Sequence, residues 1–197
     1  MTRRTLVVVT VLLLSAIAVV ALLLYFAGPD RRRVQTASEA PIVGKAQLGQ
    51  PAPAFEVATT QGFFDLAKAG KPVFLEVFAT WCPHCQRMTS VVDRLYRSYS
   101  SRVDFVAVSG SDTAMDGVST SSEADVVNWT RRFNVSYPVA YDPLLNVANL
   151  YLESGFPTFA VIGTNKKIAY LASGELTYAT LEGALTKVLR QSPGGKR

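Results

Sequence analysis

The stretch "VFLEVFATWCPHC" (Val73–Cys85) changes character halfway, from an apolar run to a short segment with two cysteines. The apolar run contains a single acid, which predicts a strand over residues 72–80 that is buried on both faces of a sheet. Pro83 suits the first position of a helix, where its missing N–H costs nothing. Apolar residues at spacings of three and four extend this helix: Met88, Val91, Val92, Leu95 and Tyr99. A buried strand is therefore expected to lead both cysteines to the start of a helix.

Strand-like and helix-like segments alternate along the rest of the chain. "VDFVAVSG" (Val103–Gly110) predicts a second buried strand, and Thr120 with Glu123 predicts a capping box before the next helix. A further helix is expected over Asp142–Leu152. Two adjacent strands and a last helix follow: "PTFAVIG" (157–163), "KIAYLASG" (167–174) and Thr177–Leu189. This order predicts an α/β fold with helices on both faces of a central mixed sheet, closed by an antiparallel hairpin.

The N-terminal residues predict a membrane anchor. From Thr5 to Gly28 the chain carries no charge, and its apolar run of about 22 residues would span about 33 Å as a helix, which matches a bilayer. Secretory signals usually have a shorter apolar region of about 7–15 residues. An uncleaved single-pass anchor over residues 1–33 is therefore favoured over a cleaved signal or a buried soluble helix. Its short basic N-terminus favours a cytoplasmic start, which places the remaining chain on the extracytoplasmic side of the cell membrane.

Composition and charge divide the rest of the chain. Residues 34–47 are small and polar without a period, which is typical of a linker. A folded domain is expected over 48–191, and residues 192–197 are expected to be a disordered tail. The residues that flank the apolar run account for +4 of the net charge of +5. A nucleic-acid-binding protein concentrates its basic excess on the folded domain, so no nucleic-acid partner is expected.

Cys82 and Cys85 are compatible with a redox pair, part of a metal site or a local staple. A zinc or copper site needs three or four ligands, and His84 is the only histidine beside the only two cysteines. No metal is therefore expected. Covalent haem attachment needs a histidine directly after the second cysteine, where Gln86 stands, so no cofactor is expected either. An inert local disulfide remains open.

As a redox pair, the cysteines would have different roles. The N–H groups and partial positive charge at a helix N-terminus favour the thiolate of Cys82, the form that attacks a disulfide. Cys85, one turn further and more buried, would be the resolving thiol. A protonated or hydrogen-bonding His84 would favour that thiolate further and make the pair more oxidising.

Three stretches resemble one family over residues 48–189. "LGQPAPAFEVATTQGFFDLAKAGKPVFLEVFATWCPHC", "GFPTFAVIG" and "IAYLASGEL" are similar to the TlpA-like and ResA-like membrane-anchored thiol-disulfide oxidoreductases of the thioredoxin superfamily. The resemblance implies a thioredoxin-like fold and a cis-proline at Pro157, which places the backbone of Phe156 to pair with a substrate strand. Trp81 and Pro83 are expected to complete this binding surface.

Glu76 takes the position of that family's buried acid. Burial in a strand should raise the pKa of this carboxyl, so that Glu76 can accept the proton of Cys85 as that thiol attacks. A glutamate facing solvent at the edge of a strand is the alternative for the same position.

The resemblance leaves the direction of electron flow open. Members that reduce cytochrome c precursors often have a glutamate where this chain has Met88, and a Pro-His dipeptide is more typical of the oxidant DsbA. The protein is therefore expected to be either a reductant for cytochrome c maturation or an oxidant or isomerase of secreted proteins. Its partners would be client proteins with cysteines or disulfides and a membrane redox partner that recycles the pair, with the lipid bilayer holding the anchor.

Two other functions are weighed against this one. A thiol peroxidase of the related peroxiredoxin type has a threonine three residues before its catalytic cysteine and a proline further upstream. Ala79 and Phe74 stand at those positions. A non-catalytic periplasmic metallochaperone or binding module is the second alternative, and the single histidine argues against it.

Overall fold

A computed structural model describes residues 44–191, together with residues 16, 18 and 19, which are helical and exposed. The chain divides into Met1–Ile42 and Val43–Arg197, and the fold below is that of the second unit. Within the described residues, no helix is both long enough and apolar enough to cross a bilayer. Apart from the three residues just named, the predicted anchor (1–33) lies outside the described residues, as do most of the linker and the tail (192–197).

Seven strands form one mixed sheet. They are β1 (Glu56–Thr59), β2 (Gly62–Asp65), β3 (Val73–Phe78), β4 (Asp104–Ser109), β5 (Val139–Tyr141), β6 (Thr158–Ile162) and β7 (Ile168–Ser173). Their order across the sheet is β2-β1-β5-β4-β3-β6-β7. The three central strands β5, β4 and β3 run parallel, and β6 and β7 form the antiparallel hairpin. The predicted mixed sheet and its closing hairpin are confirmed.

Within residues 44–191, four helices cover this sheet on both faces. They are α1 (Pro83–Tyr99), α2 (Glu123–Arg132), α3 (Asn146–Tyr151) and α4 (Tyr178–Gln191). The buried residues of α1, α2 and α4 belong to one apolar cluster, and those of α3 belong to a second cluster on the opposite face. The expected arrangement of helices is confirmed, and α1 has the bounds that the apolar spacing predicts.

Strand β3 is an interior strand of the sheet, and each of its six residues is buried. It pairs with β4 on one side and with β6 on the other. Since side chains alternate along a strand, Phe74 and Phe78 pack in the cluster beneath α1, while Leu75 packs in the opposite cluster. Glu76 therefore shares the face of Phe74 and Phe78, which is the face covered by α1.

The capping box of α2 lies two residues further along the chain than the sequence predicts. The backbone N–H of Ser122 donates to Oδ2 of Asp125 at 2.9 Å, and the N–H of Asp125 donates to Oγ of Ser122 at 3.3 Å. The prediction of Thr120 with Glu123 is wrong, because the helix begins at Glu123 and its preceding residue is the N-cap.

Helix α3 is shorter than the predicted segment that begins at Asp142. Leu145 has a φ of 55°, in the left-handed region, and regular helix cannot pass through such a residue. The carboxylate of Asp142 instead accepts from the backbone N–H of Val147 at 2.7 Å. Asp142 thus caps the helix from a loop, and the helix itself begins at Asn146.

The described chain contacts the core slightly before the predicted domain start at Leu48. Ala46 is buried, and its backbone N–H donates to the carbonyl oxygen of Leu150 at 2.7 Å. The N–H of Gly49 then donates to Ile168 at 2.8 Å. These bonds fix the incoming chain on the face of the sheet that carries α3.

Candidate active site

The two cysteines lie where β3, one of the three parallel strands, leads into helix α1. Strand β3 ends at Phe78, and Cys82 is the N-cap of α1, with Pro83 at the first helical position. The carbonyl of Cys82 accepts from the backbone N–H of Gln86 at 3.1 Å, which closes the first turn. Cys82 is 4% exposed and Cys85 is fully buried, and both are free thiols. The expected difference in burial is present, although even the first cysteine is barely accessible.

The loop before β6 covers Cys82. The peptide bond between Phe156 and Pro157 is cis, as the resemblance implies. The Sγ atom of Cys82 lies 3.7 Å from the carbonyl oxygen of Phe156, within reach of a thiol hydrogen bond. Pro157 is buried and Phe156 is half-buried. The fold therefore brings these two predicted binding residues directly against the first cysteine.

Trp81 forms the neighbouring part of this surface. Its side chain is 38% exposed, and its indole Nε1–H donates to Oγ of Ser111 at 2.8 Å. The ring meets Phe156 edge-to-face, with centroids 6.1 Å apart. Pro83 is exposed beside it at the start of α1. Trp81 is thus fixed at one end by a hydrogen bond while its apolar face remains available to another molecule.

Gly110 lies next to this surface, and no motif in the sequence points to it. A Cβ atom at this position would lie 2.7 Å from Cβ of Ala148, 2.7 Å from Cγ1 of Val77 and 3.4 Å from the ring of Phe156. Contacts below 3.0 Å between carbon atoms are repulsive. Only glycine allows β3, α3 and the loop of Phe156 to approach each other this closely.

Glu76 lies under the cysteines in the interior of the protein. It is fully buried, and neither of its carboxyl oxygens has a hydrogen-bond partner of ordinary geometry among the described residues. Burial raises the pKa of Glu76 to about 8, and the nearby hydroxyl of Tyr137 opposes that rise. The alternative of a solvent-facing glutamate at a strand edge is excluded, because Glu76 occupies the middle of the central strand.

Cys85 is electrostatically coupled to this buried acid. Burial raises the pKa of the Cys85 thiol well above its usual range, and the charge of Glu76 raises it further. The thiol therefore keeps its proton unless a nearby base accepts it. Glu76 exchanges its own proton close to neutral pH and is placed to be that base.

Tyr137 is a second buried polar residue near Glu76, and no motif in the sequence points to it. It is 1% exposed, and its hydroxyl has no hydrogen-bond partner of ordinary geometry in the described part of the chain. Burial, followed by the charge of Glu76, raises the pKa of Tyr137 well above its usual range. The tyrosine therefore remains protonated and can donate, but it cannot serve as a base.

A charged cluster (His84, Arg87 and Glu175) lies on the outer side of the cysteines. Nδ1 of His84 lies 2.5 Å from Oε1 of Glu175, and Nε of Arg87 donates to the same oxygen at 2.8 Å. Arg87, followed by His84, lowers the pKa of Glu175 to about 2. In the described part of the chain, the hydrogen-bond partners of His84 are Glu175 and Arg87, and neither cysteine is among them. The structure thus places the imidazole against a carboxylate.

Comparison with known proteins identifies the family. A family profile described as Redoxin matches residues 47–186. The thiol-disulfide oxidoreductase ResA of Bacillus cereus is 30% identical over 149 residues, which cover 73% of this chain and 80% of ResA. ResA of Oceanobacillus iheyensis is also 30% identical, over 152 residues that cover 74% of each chain.

Solved structures share the fold at lower sequence identity. A protein from Chlorobium tepidum described as a thiol:disulfide interchange protein DsbE superposes with a TM-score of 0.63 at 23% identity, over 73% of this chain and 99% of that one. A thioredoxin-like protein from Aeropyrum pernix superposes with a TM-score of 0.57 at 18% identity, over 68% and 89% of the two chains. With the sequence matches above, these show that the chain belongs to the redoxin family and is a ResA-like thiol-disulfide oxidoreductase of the thioredoxin superfamily.

Proposed function

We propose that this enzyme is tethered to the membrane and exchanges a disulfide between Cys82 and Cys85 with client proteins on the extracytoplasmic side. One observation carries the exchange chemistry. Cys82 lies against the carbonyl of Phe156 at the surface loop, while Cys85 lies fully buried and coupled to Glu76. One sulfur is thus placed to meet a client, and the other is placed to exchange a proton internally.

Client binding uses the surface beside Cys82. Trp81 and Pro83 offer exposed apolar area, and the loop of Phe156 and Pro157, which leads into β6, can accept a client strand through backbone hydrogen bonds. A client cysteine that follows such a strand would reach the sulfur of Cys82. Recognition of this kind reads the backbone more than the side chains of the client.

The exchange proceeds in two steps. The Cys82 thiolate attacks a client disulfide, forms a mixed disulfide and releases one client cysteine as a thiolate, which takes a proton from water. Cys85 then passes its proton to Glu76 and attacks the sulfur of Cys82. The bond to the client breaks, the second client thiolate leaves, and a Cys82–Cys85 disulfide forms. Two electrons have moved from the enzyme to the client. In the opposite direction a client thiolate attacks this disulfide, and Glu76 returns the proton to Cys85.

The reduction potential distinguishes the two biological directions. A reductant, as needed to prepare apocytochrome thiols for haem attachment, would have a potential below about −250 mV, and an oxidant or isomerase of secreted proteins a potential near about −120 mV. His84, which lies between the two cysteines in the sequence, is the residue we expect to influence this value. A membrane redox partner would restore the active form of the pair.

The tether rests on the uncharged apolar run from Thr5 to Gly28 and its arginine flanks. Its length suits the hydrocarbon thickness of a bilayer. Membrane fractionation with protease treatment of intact cells tests this part. The protein should sediment with membranes at its full length and be degraded only when the protease reaches the extracytoplasmic side.

Neither alternative function has a comparable observation in its favour. For a thiol peroxidase, the position three residues before Cys82 holds buried Ala79, which has no hydroxyl for a peroxide. For a metallochaperone, the described residues contain no group of three or more histidine, cysteine, aspartate or glutamate side chains placed to hold a metal ion.

Single cysteine substitutions test the exchange. Cys82→Ser should abolish disulfide exchange, whereas Cys85→Ser should accumulate mixed disulfides with clients in intact cells, because the resolving thiol is missing. The matched control is the double variant Cys82→Ser/Cys85→Ser, which should trap nothing. Full insulin-reduction or client-oxidation activity in Cys82→Ser would contradict the proposal. The identities of the trapped clients would also report the compartment in which the enzyme works.

A further inference from the structure

Glu76 and Tyr137 face each other across one strand of the sheet. Glu76 on β3 pairs with Ala107 on β4, and Ala107 pairs in turn with Val139 on β5. Paired residues direct their side chains to the same face, and Tyr137, just before β5, belongs to the same apolar cluster as Val139, Phe74 and Phe78. The side chain between Glu76 and Tyr137 is only a methyl group, which leaves room for the phenol to reach towards the carboxyl.

The backbone on both sides of Tyr137 is held in place. The N–H of Ser136 donates to Oδ1 of Asp93 at 2.9 Å, and the carbonyl of Pro138 accepts from the N–H of Ala107 at 2.9 Å. The phenol ring packs against Tyr96, with centroids 6.4 Å apart. The position of the hydroxyl is therefore set by the fold and does not depend on a flexible loop.

Among the described residues, neither of these two polar groups is engaged by another hydrogen-bond partner. Within the described residues, neither the carboxyl oxygens of Glu76 nor the hydroxyl of Tyr137 has a partner of ordinary geometry. Burying such groups unpaired is costly, and the cost is far greater for a carboxylate than for a carboxylic acid. A donor next to Glu76 is therefore most valuable at the moment when the carboxyl becomes charged.

We propose that Tyr137 is a positioning residue that donates a hydrogen bond to Glu76 when this carboxyl ionises and so holds the carboxylate against the Cys85 thiol. This inference rests on the role of Glu76 as proton acceptor in the proposed function. In the resolving step the proton of Cys85 moves to Glu76, and Tyr137 keeps its own proton throughout. The hydrogen bond stabilises the charged acceptor before the proton arrives.

Tyr137 is the side-chain donor that acts on the carboxyl of Glu76. The other groups that face Tyr137 are Cys85 at the start of α1, Asp93 further along α1 and the ring of Tyr96, while Ala107 on β4 and Phe159 on β6 pair with Glu76. The carboxylate of Asp93 is already engaged by Arg97 at 2.8 Å and by the backbone N–H of Ser136. Ala107 and Phe159 are apolar, and the thiols are the reacting groups themselves.

The test is Tyr137→Phe, which removes only the hydroxyl, with Tyr151→Phe as the matched control. Tyr151 is equally buried but lies in the opposite apolar cluster, where its hydroxyl donates to the carbonyl of Pro53. The measurement is the rate of mixed-disulfide resolution against pH. In Tyr137→Phe the rise of this rate should move to higher pH by about one unit, which lowers the rate at neutral pH about tenfold. Tyr151→Phe should retain the wild-type pH profile.

Glu76→Gln separates this inference from the proposed function. If Glu76→Gln loses the pH-dependent rise and Tyr137→Phe adds no further loss to it, the two residues act through one path. A wild-type profile in Tyr137→Phe, together with an altered profile in Glu76→Gln, overturns the role of Tyr137 alone. A wild-type profile in Glu76→Gln overturns the proton acceptor and this inference together.

An infrared titration of the wild-type protein tests the same contact without relying on the folding of a tyrosine variant. Ionisation of Glu76 should remove its protonated carbonyl band and, in the same titration step, shift a C–O band of a protonated tyrosine. Glu76→Gln should lack both changes. Loss of the carbonyl band with no tyrosine signal would show that the hydroxyl does not donate to the carboxylate.

Discussion

Two carboxylates lie on opposite sides of the same cysteine pair, and their environments give them opposite properties. Burial raises the pKa of Glu76 to about 8, while Arg87 and His84 lower the pKa of the exposed Glu175 to about 2. Glu76 can therefore take up and release a proton near neutral pH. Glu175 keeps its negative charge at neutral pH. The comparison teaches that burial and neighbouring cations, rather than residue type, assign the two roles.

The largest expected difference between the two carboxylates is in turnover. Glu76→Gln removes the only buried base beside Cys85 among the described residues, so client exchange at neutral pH should slow by about 100-fold, a typical value for loss of a general base. Glu175→Gln should slow it by less than about threefold, since it alters only an exposed ion pair. Insulin reduction by the two variants measures this. Equal losses in both variants would break the comparison.

A smaller effect is expected in the pH dependence of stability. The folded protein holds the proton of Glu76 more tightly than the unfolded chain does, so the free energy of unfolding should fall as pH rises from about 4.5 to 8. Glu76→Gln cannot ionise at this position and should lack this decline. Above about pH 8 this relative gain in the free energy of unfolding over the wild type is at most about 5 kcal/mol. Urea unfolding at both ends of the window measures the difference. Parallel curves for the two proteins would show that Glu76 ionises as readily in the native state as in the unfolded chain.

The smallest expected effect concerns the reduction potential. Glu175→Gln removes the carboxylate that neutralises Arg87 and so leaves this positive charge free to stabilise the Cys82 thiolate, which should raise the potential by about 10–30 mV. High salt should reduce this shift, because the groups are exposed. Equilibration with glutathione gives the value, and Glu175→Gln/Arg87→Gln, which removes the freed charge, should show a smaller shift. A lower potential in Glu175→Gln would contradict the assigned sign.

Local sequence signals predict the strand and helix that carry the cysteines. The apolar run of β3 and the three- and four-residue spacing in α1 are complete within about 30 residues, and the structure has both elements. The groups that surround the two carboxylates come from distant parts of the sequence. Glu175 meets Arg87 across 88 positions, and Tyr137 reaches Glu76 only because β5, β4 and β3 lie side by side. Strand order and side-chain reach are properties of the folded chain, so the residues alone gave no sign of either pairing.

Gly110 has a consequence for any attempt to redesign client selection. A methyl group there would lie 2.7 Å from both Ala148 and Val77 and 3.4 Å from the ring of Phe156, so any substitution would displace α3 or β3 next to the loop that covers Cys82. Trp81, which is 38% exposed, can be varied without adding an atom to this crowded site, and only its edge contact with Phe156 is lost. A mutational library aimed at new clients should therefore diversify Trp81 and keep position 110 invariant. Variants that tolerate a large residue at position 110 would therefore show that the packing next to the client-binding loop has shifted.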